Sequence, residues 1–193
     1  MFHDFIPMML INMVAGLVLL AGYVYWGLER VEEKTWVPAF AIVGLVAFVS
    51  GLYMTFTWPA PSLATVNLQF ANVAFGELTV LFGAIFLGLA LALARHWRLH
   101  ALAIYGFLGG VLSIVVGVRI GRLGLTQIPS LTAAGFILTG LGGVLILPLL
   151  GLKQNRTFRL VVALILLAAA IIWAATAFPA YWAHLERYSR VAS

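Results

Sequence analysis

The chain has 193 residues, 64% of them hydrophobic and only 9% charged, with a mean hydropathy of +1.10. Soluble domains carry roughly 25% charged residues, so this composition excludes a soluble globular fold and defines an integral membrane protein. The net charge of +5 comes from basic residues spaced between apolar runs, a pattern that sets membrane topology and argues against a nucleic-acid partner. With no cysteine, the chain has no disulfide, thiolate metal site, iron–sulfur cluster or cysteine nucleophile.

A helix needs about 20 apolar residues to cross a hydrocarbon core roughly 30 Å thick. Six segments qualify, near 5–28, 36–57, 68–94, 99–121, 130–152 and 158–180. The expected fold is a single all-α domain, a bundle of six transmembrane helices. The N-terminal MFHDF lacks a basic n-region, and the apolar run after it has no small-residue cleavage site. It reads as the start of the first span.

Between the first two spans lies the charged ERVEEKTW, and between the next two the uncharged WPAPSLATVN. RHWRL, RLGLTQIP and GLKQNRTFR join the remaining spans, and AYWAHLERYSR follows Pro179. Placing the odd-numbered loops in the cytoplasm puts Arg30, Lys34, Arg95, Arg98, Lys153, Arg156 and Arg159 inside and Arg119, Arg122, Arg187 and Arg190 outside. That excess predicts both termini on the outer side of the membrane, with 181–193 as an interfacial tail. Trp26, Trp36, Trp58, Trp97, Tyr181 and Trp182 fall at span ends, where amphipathic rings prefer to lie.

The third span contains a glutamate within FANVAFGELTVLFGAIF. Glu77 lies 17 residues from Ala94, or about 25 Å at 1.5 Å per residue, which places it in the outer part of the bilayer. The same count on the fourth span brings Arg119 to a similar height on the next antiparallel helix. An ionised carboxylate facing lipid is costly, so Glu77 and Arg119 are expected to pair across the hairpin. Asn12, Thr55 and Thr176 reach comparable heights, with Asn72 slightly farther out. Together they predict an outward-facing polar pocket for a small solute or ion, with Glu77 as its titratable group. The other reading of the same residues is a structural ion pair.

His96 and His100 are four residues apart but flank a tight turn, which weakens any shared metal site. His3, Asp4, His184 and Glu186 form a second metal possibility if the first and last spans are neighbours. All four histidines lie at span ends, which argues against a mid-membrane haem. No GxSxG, HExxH or P-loop pattern occurs, so the sequence does not point to an enzyme. The glycines of the fourth and fifth spans, among them Gly106, Gly109, Gly110, Gly117, Gly140 and Gly143, predict close helix packing or an oligomer contact.

The blocks INMVAGLVLLAGYVYWGL, MTFTWPAP, AFGELTVLFGAIFLGLALAL, AGFILTGLGGV and AYWAHLE, in this order, resemble a bacterial family of small polytopic membrane proteins. That family is catalogued as domain of unknown function 981. The resemblance implies a multi-spanning membrane protein and assigns no reaction to any of these residues. Two functions stay open from the sequence. One is binding or translocation of a small solute or ion. The other is a non-catalytic accessory or assembly subunit of a membrane complex, such as one handling metal or redox cofactors.

Overall fold

The computed structural model describes residues 6–28, 33–57 and 69–191. Among these residues six helices are long and apolar enough to cross a membrane. Span 1 is Ile6–Gly22, prolonged by the π-helical segment Tyr23–Gly27. Span 2 is Val37–Thr57, entered through the 3-10 turn Glu33–Trp36. Span 3 is Leu78–Ala94, preceded by the short turn Gln69–Ala71 and the π-helical segment Asn72–Glu77. Spans 4, 5 and 6 are His100–Leu123, Pro129–Gly151 and Arg156–Val191.

Local chemistry explains most of these boundaries. Gly124, at φ 63°, ends span 4 in the left-handed conformation that glycine adopts without a Cβ penalty. Pro129 opens span 5, where its missing N–H costs nothing. Asn155 Oδ1 accepts the Phe158 N–H at 3.0 Å and caps the start of span 6. That last helix runs through Pro179 for 36 residues, about 54 Å, so it outreaches the hydrocarbon core. The expected tail from 181 to Val191 is a continuation of the helix.

Around the bundle, neighbouring spans run in the order 3, 2, 1, 6, 5, 4. The pairs 2–3, 4–5 and 1–6 pack most extensively, whereas spans 3 and 4 scarcely touch. Inside lipid no hydrophobic force presses helices together, so tight pairs depend on small residues that let backbones approach. A Cβ on Gly44 of span 2 would sit 2.6 Å from the Leu87 backbone nitrogen, and one on Gly83 of span 3 would collide with the Phe48 backbone. Spans 4 and 5 repeat the arrangement, because a Cβ on Gly110 would lie 2.6 Å from the Gly140 carbonyl oxygen.

Two aromatic clusters fill different heights of the core. Phe136 stands 5.4 Å from Phe75 and 5.0 Å from Trp173, joining spans 3, 5 and 6. Trp173 donates its indole N–H to Thr139 Oγ1 at 2.9 Å. Nearer the end that carries Lys34, Arg95, Arg98 and Lys153, here termed the basic end, Phe40 contacts Tyr23, Trp36 and Phe86 at 5.5 to 6.0 Å.

Candidate functional site

Glu77 closes the π-helical segment of span 3, and its side chain is exposed on the surface of the bundle. Arg119 is exposed as well, and no ion pair joins the two. The expected pairing fails for a geometric reason. Span 3 packs against span 2 and span 4 against span 5, so the hairpin formed by spans 3 and 4 is not a packed pair.

The uncharged members of the expected pocket are engaged in helix contacts. Asn12 donates its side-chain N–H to the Val43 carbonyl at 2.9 Å, bridging spans 1 and 2. Thr55 donates its hydroxyl to the Gly51 carbonyl of its own helix at 2.8 Å. Asn72 Nδ2 reaches the Thr55 carbonyl at 3.4 Å, so these two residues do meet. Thr176 bonds back to Ile172. The structure thus brings Asn72 to Thr55 and leaves Glu77, Arg119 and Asn12 apart.

His3 and Asp4 lie outside the described residues. Glu186 accepts the Trp182 indole N–H at 2.8 Å, and His184 is half-buried near it in sequence. Among the described residues no group of three or more histidine and carboxylate side chains could hold a metal ion. His96 sits at φ 53° in the turn after span 3 while His100 begins span 4, so the two imidazoles do not share a helix face.

The interior space lies elsewhere. A cavity of about 130 Å³ opens between spans 1, 3, 4 and 5, extending from the Phe136 cluster toward the basic end. Its walls are apolar, with Leu17, Phe82, Ile85, Leu102 and Leu149 among them. The two hydroxyls on the wall from spans 4 and 5 are spent on neighbours. Ser113 donates to the Phe136 carbonyl at 2.8 Å, and Thr139 accepts from Trp173.

Gly106 marks this space most directly. It is buried, yet a Cβ built on it would have no atom within 4 Å. In the neighbouring, sparsely packed seam between spans 3 and 4, two glycines face side-chain tips. Leu102 Cδ1 lies 2.8 Å from where a Gly88 Cβ would stand, and Ile85 Cδ1 lies 3.5 Å from that of Gly109. The glycines of span 4, expected as packing residues, therefore divide between a packed seam and an open wall.

At the basic end the structure also buries a charge that sequence reasoning counted with the loop. Arg159 is 4% exposed within the first turn of span 6. Three residues earlier, Arg156 donates to the Tyr25 hydroxyl at 3.1 Å and sits 5.8 Å from that ring's centroid. The signal available in the sequence was position. Arg159 opens directly into the apolar run LVVALILLAAA.

Fold and cavity together define a polytopic α-helical membrane protein with an apolar chamber in its bundle. Residues 1–187 match the family described as "Protein of unknown function (DUF981)", and the chain belongs to that family. No curated protein and no solved structure matches it.

Proposed function

We propose that this protein binds an apolar, chain-like ligand, such as the acyl chain of a membrane lipid, in the cavity between spans 1, 3, 4 and 5. The observation that carries the reading is the buried Gly106 facing open space beside an apolar cavity of about 130 Å³. Atoms lining a void forfeit dispersion contacts on one side. An apolar engineered cavity of roughly 150 Å³ stays dry and takes up benzene, so a space of this kind favours hydrocarbon over water. Surrounded by lipid, it has acyl chains as its nearest supply.

This reading fits the walls better than translocation of an ion or polar solute does. A polar path needs side chains that replace hydration, whereas Glu77 is exposed and the Ser113 and Thr139 hydroxyls on the cavity wall are already bonded.

Native mass spectrometry of the protein released from nanodiscs tests the reading. Wild-type protein is expected to retain phospholipid after delipidating washes. Gly106→Phe, which fills the open space, is expected to lose it while keeping its helical content and its elution volume. Equal retention by the variant would rule out the cavity as the binding site.

A further inference from the structure

The seam between spans 3 and 4 ends in a turn whose geometry is fixed. The Trp97 N–H bonds to the Ala92 carbonyl at 2.8 Å, and the His96 N–H to the Leu93 carbonyl at 3.3 Å, with His96 left-handed. These are the paired bonds of a Schellman cap, formed with histidine in place of the usual glycine. Histidine is among the residues enriched at positive φ, so the turn is held at modest cost. It presents Arg95, Trp97 and Arg98 outward, and Leu99 directly after them lines the cavity.

Arg95 and Arg98 place two positive charges at this turn. Arg95 and Arg98 are both exposed and, among the described residues, neither guanidinium takes part in a hydrogen bond or ion pair. No aspartate or glutamate occurs anywhere in the sequence between Glu77 and Glu186. Trp97, 57% exposed, supplies the amphipathic ring expected where a bundle meets headgroups. The cavity thus has an apolar interior, a sparsely packed seam on the side of spans 3 and 4, and two exposed guanidinium groups at one end of that seam.

We propose that the ligand is an anionic phospholipid whose acyl chain enters sideways between spans 3 and 4 while its phosphate is held by Arg95 and Arg98. The assignment rests on the acyl-binding reading above and adds the headgroup and the route. Guanidinium groups match phosphate oxygens in paired hydrogen bonds, and the leaflet at the basic end supplies the headgroup at the correct depth. Leu102 and Ile85, whose tips face Gly88 and Gly109 across the seam, change rotamer to admit the chain.

Photolabelling in nanodiscs tests this. Zwitterionic discs are doped with a trace of phospholipid carrying a diazirine on its acyl chain, with either an anionic or a zwitterionic headgroup. Wild-type protein is expected to label in the segments 85–89 and 102–109, with about thirtyfold more label from the anionic probe, given two arginines at roughly 1 kcal/mol per basic residue near the surface. Arg95→Gln with Arg98→Gln is expected to abolish that preference and leave labelling by the zwitterionic probe unchanged. Raising the ionic strength on wild-type protein is expected to reduce the preference as well, which reads the same contact without a substitution.

Equal labelling of the wild type by both probes, lost in Gly106→Phe, would overturn the headgroup assignment and leave the acyl site standing. Labelling that Gly106→Phe does not reduce would overturn both.

Discussion

The seam between spans 2 and 3 and the seam between spans 3 and 4 are both glycine-bearing, yet they are built in opposite ways. In the first, Gly44 and Gly83 let backbone meet backbone, and a methyl group at either position would strike main-chain atoms. In the second, Gly88 and Gly109 meet only the flexible ends of Leu102 and Ile85, and Gly106 nearby faces open space. Glycine therefore has two uses in this bundle. It brings helices together where the partner backbone is close, and it keeps a volume clear where no partner arrives. Sequence alone does not separate the uses, because what differs is the atom opposite.

The largest expected effect comes from breaking the packed seam. Gly83→Leu should destabilise the bundle by about 3 kcal/mol, since the side chain must displace the Phe48 backbone. The thermal midpoint in detergent reads this, and a wild-type midpoint would show that the seam has room. Gly106→Ala is the matching change at the open wall. It is expected to alter stability by less than about 0.5 kcal/mol, because its Cβ meets nothing. A loss as large as that at Gly83 would erase the distinction between the seams.

The smallest effect sharpens the picture of the third and fourth spans as separate bodies. A double-mutant cycle on Glu77→Gln and Arg119→Gln is expected to give a coupling within about 0.3 kcal/mol, as for residues that share no contact. A coupling near 1 kcal/mol would mean that the two side chains meet in the membrane.

These outcomes also bear on how much of the molecule could be read in advance. Six spans, their approximate ends and the family were legible, because hydropathy and charge punctuation depend on composition along the chain. The turn at His96 was visible as a break, though its Schellman geometry was not. The pairing of Glu77 with Arg119 failed because adjacency in sequence was taken for packing in space. Depth along a helix can be counted from the sequence, but rotation about its axis needs an amphipathic stripe, and spans apolar all round offer none. The π-helical segment Asn72–Glu77 compounds this, since its wider turn shifts the faces of Glu77 relative to the regular helix that follows. Arg159 was missed for a related reason. A basic residue at a span end reads as topology, and only the packed bundle shows that it is buried.

The pairing of the first span with the last carries a consequence in time. Spans 2 with 3 and 4 with 5 are joined by short chain segments and can each associate soon after both members have been made. Span 1, by contrast, is made before spans 2 to 5 and must wait for span 6, whose Trp173, Ala169 and Val162 are wholly buried in the folded bundle. During that interval the face of span 1 that span 6 will cover has lipid or a membrane chaperone beside it. Of the three tight pairs, the 1–6 pair is therefore the last that can close.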